Sequence, residues 1–157
     1  MITITPAKES DIKDILSKYD YILSENLTEL KYENTMILVE GGNIYGVSSY
    51  TTTGEIAKIN VLYIDDDKRR LKFGDSLIKA TLNLIDKRDI KRAYIVMSYM
   101  FEDFLKSSSL IKSSEEEYIN DLASISSDNN LINEKEIIYH ADLPEFFNTA
   151  CRSTHKH

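Results

Sequence analysis

Apolar and polar positions alternate from the second residue: Ile2 and Ile4 share one face, Thr3 and Thr5 the other, and Pro6 ends a short first strand. Ser10 is placed to cap a helix in which Ile12, Ile15, Leu16 and Tyr19 recur at helical spacing, with Asp11 in its first turn. A second helix is expected over Ser24 to Lys31, turning Leu27 and Leu30 inward. From Thr35 the period changes. Met36 to Val39 is a continuous apolar run, Gly41-Gly42-Asn43 a turn, Ile44 to Thr51 a strand rich in Tyr, Val and Thr, and Gly54 a second turn. Ile56 to Ile64 alternates again, which completes a three-stranded antiparallel meander.

A helix follows, with Phe73, Leu77, Leu84 and Ile85 on one face and Asp75, Lys79, Asn83 and Asp86 on the other, as in a helix laid on a sheet. Arg92 to Ser98 contains Tyr94-Ile95-Val96-Met97, a buried strand. Strand, helix and strand at this spacing imply a right-handed crossover, so Ile56 to Ile64 and Ala93 to Met97 are expected to be parallel neighbours. Phe101, Phe104 and Leu105 begin another helix that Ser107-Ser108-Ser109 ends, and Glu115 to Ser124 reads as helical through Tyr118, Ile119 and Leu122. A polar loop over Ser126 to Asn130, a last strand over Glu136 to His140, and Pro144-Glu145-Phe146-Phe147 complete the pattern. The class is α/β (α+β): a mixed, mostly antiparallel sheet with flanking helices.

At 157 residues, one domain over 1–147 is expected, with a frayed tail over 148–157. No apolar run reaches the length of a membrane span, and Met1 leads into Ile2-Thr3-Ile4 without the basic and apolar regions of a signal peptide. The single Cys151 has no partner for an internal disulfide, which makes the cytoplasm the default compartment. A net charge of −7 argues against nucleic acid and anionic membranes as partners. Positive charge gathers instead at Lys68 to Lys72, and again at Lys87-Arg88 and Lys91-Arg92, which suits a small polyanion. Cys151, His155 and His157 lack the fourth ligand of a zinc site, so no metal is expected. No Gly-x-Ser-x-Gly elbow marks a hydrolase.

The chain is organised around Ile64-Asp65-Asp66-Asp67-Lys68-Arg69-Arg70-Leu71-Lys72-Phe73-Gly74-Asp75-Ser76-Leu77-Ile78. An apolar strand runs into a basic turn with one Gly and out into an amphipathic helix, where unpaired N–H groups and the helix dipole attract an anion. A solvated helix start has the same composition. The segment resembles the acyl-CoA-binding stretch of the GNAT acyltransferase superfamily, V-x-P-x-[YF]-R-[GR]-x-G-[IVL]-[GA]-x-x-L-[LI]. Ile64 takes the Val position, Asp66 the Pro, Lys68 the aromatic, Arg69 the Arg, Lys72 the first Gly, Phe73 the aliphatic, Gly74 the second Gly, and Leu77-Ile78 the closing pair. Lys72 in place of Gly opposes a positive φ, and the aromatic before Arg69 is missing.

The order of elements from Ile2 to Tyr139 is also similar to that superfamily's, which implies that the parallel strands splay at their carboxyl ends. The resemblance implies acetyl-CoA as co-substrate. Its pyrophosphate would rest on the backbone N–H groups of Arg70, Leu71, Lys72, Phe73, Gly74 and Asp75, with Arg69 and Lys72 nearby, and its pantetheine would pair with Leu62, Tyr63 and Ile64. Ser98 matches a position where relatives often carry Asn to hold that arm. The family's Glu base falls on Lys58 and its thiol-protonating Tyr on Leu105, so Glu55 and Tyr99 are the catalytic candidates, against the readings of Glu55 as a turn-end surface residue and of Tyr99 as a packing residue. The implied activity is acyl transfer to the amine of a small molecule or peptide. The alternatives are a GNAT-like CoA-binding or regulatory module without transfer activity, and an interaction domain that binds no CoA. Phe146 and Phe147 offer a packing surface for a homodimer.

Overall fold

The computed structural model describes residues 1–20, 30–122 and 132–147. Its strands are β1 (Ile2–Pro6), β2 (Thr35–Glu40), β3 (Asn43–Thr53), β4 (Ile56–Ile64), β5 (Arg92–Ser98), β6 (Ile111–Lys112) and β7 (Glu136–Asp142). They form one seven-stranded, mostly antiparallel sheet in the order β1-β2-β3-β4-β5-β7-β6, in which β4 and β5 are the parallel pair. The helices are α1 (Asp11–Lys18), α2 (Phe73–Asp86), α3 (Glu102–Ser107) and α4 (Glu115–Asp121). The chain divides into two compact units, Met1–Thr51 with Ile59–Leu84, and Thr52–Lys58 with the chain from Ile85 onward.

In the first unit, β1 pairs antiparallel with β2 from Ile2↔Glu40 to Pro6↔Met36. The β2–β3 hairpin closes at Glu40↔Asn43, and Gly41 and Gly42 both take positive φ, 58° and 80°, as a two-residue turn of this hand requires. Alternate residues of β2 face opposite cores, which is why its apolar run is continuous. Ile37 packs with Ile15, Tyr19, Ile44, Val47 and Val61. Met36 and Leu38 pack with Ile64 and Leu77. A Cβ on Gly46 would lie 3.2 Å from both Leu38 Cβ and the Tyr63 carbonyl oxygen, so a side chain there would require its neighbours in β2 and β4 to give by a few tenths of an ångström.

In the second unit, β5 pairs antiparallel with β7 from Arg92↔Asp142 to Ser98↔Glu136, and β6 adds to the far side of β7. Tyr94, Tyr118, Leu122 and Ile138 form its core, with the Tyr94 and Tyr118 rings edge to face at 5.3 Å.

Several expectations are corrected. Ser10 makes no side-chain cap and has helical backbone angles; the Asp11 carboxylate accepts the Lys8 N–H at 2.8 Å instead. Leu16 and Ile119 are exposed, and Phe101 precedes α3 rather than starting it. Phe146 is buried and packs edge to face on Phe147 at 5.1 Å. The helix expected over Ser24 to Lys31, the loop over Ser126 to Asn130 and the tail with Cys151, His155 and His157 fall wholly or mostly outside the described residues.

Candidate functional site

The passage from β4 to α2 is a turn of 3-10 helix, Asp66–Leu71, followed by Lys72 in the left-handed conformation at φ 61°, ψ 18°. Lys72 therefore adopts the backbone that the sequence pattern assigns to Gly, although its side chain opposes it. From Phe73 onward the chain is α-helical. Helix geometry leaves the first N–H groups of α2 without intrahelical acceptors, and these belong to the Phe73–Asp75 stretch.

The cations of the turn divide by role. Arg69 Nε donates to the Ile64 carbonyl oxygen at 2.7 Å, its Nη1 lies 2.9 Å from Asp66 Oδ1, and its guanidinium lies over the Tyr63 ring at 5.0 Å. Arg69 thus ties the turn back onto the end of β4. Lys68 pairs with Glu40 at 3.0 Å and lies over the Tyr45 ring at 4.8 Å; its hydrogen bond to Glu40 holds its pKa above the ordinary range. Lys72 is exposed, with no salt bridge among the described residues. Asp75 pairs with Lys79 at 3.0 Å, and its buried Oδ1 has no hydrogen-bond partner among the described residues.

Asp65 anchors the start of the turn. Its N–H donates to the Tyr45 carbonyl at 2.8 Å, and its carboxylate takes the Tyr19 hydroxyl at 2.9 Å and lies 2.7 Å from Lys18 Nζ. Burial, reinforced by the hydrogen bond to Asp65, raises the Tyr19 pKa. Sequence reading missed this cluster, because nothing in residue spacing announces that Lys18-Tyr19 meets Asp65.

In the second unit, Glu55 is an exposed turn residue paired with Lys91 at 3.0 Å, and its carbonyl accepts the Lys91 N–H at 2.8 Å. Lys58 lies over the Tyr118 ring at 5.4 Å, and burial lowers its pKa against the opposing effect of Glu136. Ser98 Oγ accepts the Met100 N–H at 3.3 Å, so it caps the short 3-10 turn Tyr99–Phe101. Tyr99 is 58% exposed at the carboxyl end of β5, while Leu105 is fully buried. A second polar cluster surrounds His140, whose Nδ1 bonds Ser113 Oγ and whose Nε2 lies 3.4 Å from Asp142, itself held by Arg92 Nε at 2.5 Å. Among the described residues, no group of His, Cys, Asp and Glu is arranged to hold a metal ion.

No protein-family model matches the sequence, and no curated protein matches it. The fold is widely shared among solved structures. N-acetylglutamate synthase from Neisseria gonorrhoeae, complexed with coenzyme A and N-acetyl-glutamate, superposes with a TM-score of 0.72 at 16% identity over 91% of this chain, which spans 35% of that protein. Ribosomal-protein-S18-alanine N-acetyltransferase from Escherichia coli gives 0.65 at 13% identity, covering 91% of this chain and 94% of that one. An acetyltransferase of the GNAT family from Staphylococcus aureus Mu50 gives 0.66 at 16%, covering 91% and 99%.

Proposed function

We propose that this chain, which has the GNAT acetyltransferase fold, binds acetyl-CoA and transfers the acetyl group to an amine. The observation that carries the reading is the β4–turn–α2 passage. A left-handed Lys72 admits the chain to a helix whose first N–H groups are unpaired, while Arg69 bonds to the Ile64 carbonyl and so fixes the turn's aim. The pyrophosphate is assigned to the N–H groups from Arg70 to Asp75, with the exposed Lys72 as the nearby cation. The pantetheine arm is assigned to the backbone of Leu62, Tyr63 and Ile64. Crystals of a neighbouring protein with coenzyme A support the co-substrate assignment.

The chemistry is direct attack. The acceptor nitrogen lone pair forms the C–N bond at the thioester carbon, a strand N–H near Leu62 or Tyr63 stabilises the oxyanion, and the C–S bond breaks. The departing thiolate takes a proton from solvent, and the attacking nitrogen gives its surplus proton back to solvent. The Glu55 carboxylate is engaged by Lys91, so the acceptor ammonium loses its proton to water in this account rather than to Glu55. Ser98 is assigned to the cap of its turn and not to the pantetheine arm.

The second reading, a CoA-binding module without transfer activity, is favoured by Lys58 and Leu105 at the family's Glu and Tyr positions. Free-thiol release from acetyl-CoA against a panel of polyamines, amino acids, aminoglycosides and peptides, with calorimetric titration of acetyl-CoA alongside, separates the two. Turnover on any amine supports the enzyme, whereas binding without turnover across the panel supports the module. Absence of binding removes both.

A further inference from the structure

Asp75 lies in the first turn of α2, inside the stretch whose N–H groups the acyl-CoA reading assigns to a diphosphate. The Ser76 N–H donates to the Lys72 carbonyl oxygen at 3.4 Å, so the helical donors left without intrahelical acceptors are those of Phe73, Gly74 and Asp75. The last of these belongs to a residue that itself carries a negative charge.

A carboxylate in a first turn ordinarily accepts one of those N–H groups, or faces water, and steadies the helix through its dipole. One oxygen of Asp75 does neither. Its Oδ2 lies 3.0 Å from Lys79 Nζ, whereas its Oδ1 is closed off from solvent and accepts no hydrogen bond among the described residues. A buried acceptor left in that state costs stability and asks for an explanation. On that side no water screens the charge, so it acts on its surroundings at more than its solvent-exposed strength. Lys79 springs from the next turn, which leaves the negative end of the ion pair toward the helix start. Lys68, Arg69 and Lys79 are each matched by a carboxylate, from Glu40, Asp66 and Asp75. The cradle therefore relies on its N–H groups more than on excess positive charge.

We propose that Asp75 is a specificity-determining residue of this cradle, ranking ligands by the charge of their diphosphate and favouring the diester of an acyl-CoA over free nucleoside di- and triphosphates. The proposal rests on the acyl-CoA reading above and names how that same site selects its ligand. N–H groups bond the oxygens of all these ligands alike. A diester diphosphate carries two negative charges, a terminal diphosphate three and a triphosphate four, and repulsion from one fixed carboxylate grows in proportion. Selection at this residue works by penalising the competitor rather than by adding a contact to the preferred ligand.

The test is calorimetric titration of the full chain at pH 8 with acetyl-dephospho-CoA, which has the diester diphosphate and no other phosphate, and with ADP. Asp75→Asn and Asp75→Ser remove the charge, and Asp75→Glu keeps it. At about 2.3-fold per unit of ligand charge, the scale of one partly exposed charge pair, the two neutral variants are expected to bind acetyl-dephospho-CoA about fivefold and ADP about twelvefold more tightly than the parent. Asp75→Glu should match the parent, and the gains should shrink as salt is raised. Urea unfolding of each variant establishes that folded proteins are being compared. Equal gains for the two ligands, or unchanged or weaker binding in both neutral variants, overturns the proposal and leaves the acyl-CoA reading in place. If neither the parent nor any variant binds acetyl-dephospho-CoA or acetyl-CoA, that reading falls and the proposal falls with it.

Discussion

Replacing Lys72 by Gly should stabilise the fold, an unusual direction for a glycine substitution. Lys72 holds φ 61°, ψ 18°, where a Cβ is crowded by the neighbouring carbonyl. That crowding costs about 1–2 kcal/mol for an L-residue. Gly is free of it but loses more backbone entropy on folding, roughly 0.5–1 kcal/mol. The difference leaves a net gain of about 0.5–1 kcal/mol, or about 1–4 °C in melting temperature for a chain of this size. Lys72→Ala is the control, since it removes the same charge but keeps the Cβ. Urea unfolding at constant m-value reads the stability of both variants. Calorimetric titration of acetyl-CoA reads the ligand side, where both should bind more weakly than the parent, because both lose the exposed Lys72 ammonium. If Lys72→Gly is no more stable than Lys72→Ala, the left-handed backbone at this position carries no strain and the reasoning fails.

Other outcomes follow from named contacts. Arg69→Ala should cost about 1–2 kcal/mol by leaving the Ile64 carbonyl without its donor, and Arg69→Lys should restore little of it, because an ammonium cannot bond Ile64, face Asp66 and lie over Tyr63 with one planar group; full recovery in the Lys variant would contradict the assignment. The Glu102 pKa is lowered by hydrogen bonds from Tyr139 and Lys112, so its contribution is present above the ordinary carboxylate range and is lost as pH falls through the depressed folded value. Glu102→Gln should therefore flatten the acid side of a plot of urea midpoint against pH, and a parallel curve would refute that linkage.

Much of the fold was legible because single local signals sufficed. Gly41-Gly42 admits the tight turn, Met36 to Val39 needs cover on both faces, and the Phe73–Leu77–Leu84 face needs a sheet beneath it. Elements that depend on tertiary partners were not legible. The two residues of β6 have no period to read; they are a strand because Ile111 and Lys112 align with His140 and Tyr139. Ser10 has the chemistry of a cap, but Asp11 accepts the Lys8 N–H and the Ser10 hydroxyl makes no cap bond. At the site, the basic turn could be found from composition, whereas the division of labour within it could not. Whether Arg69 faces a ligand or its own chain depends on the Ile64 carbonyl and the Tyr63 ring, and the Tyr19–Asp65 bond beside Lys18 spans 46 residues of sequence.

The most direct measurement of the central claim is the melting temperature of the full chain with acetyl-CoA and, separately, with S-acetyl-pantetheine, which keeps the thioester and lacks the nucleotide phosphates. A ligand of the native state at a hundred times its Kd adds about 2.7 kcal/mol. For a chain of this size that corresponds to a rise of about 5–10 °C. The account predicts such a rise with acetyl-CoA, and little change with S-acetyl-pantetheine at the same concentration. No rise with millimolar acetyl-CoA, or equal rises with both compounds, would contradict a phosphate-binding turn between β4 and α2.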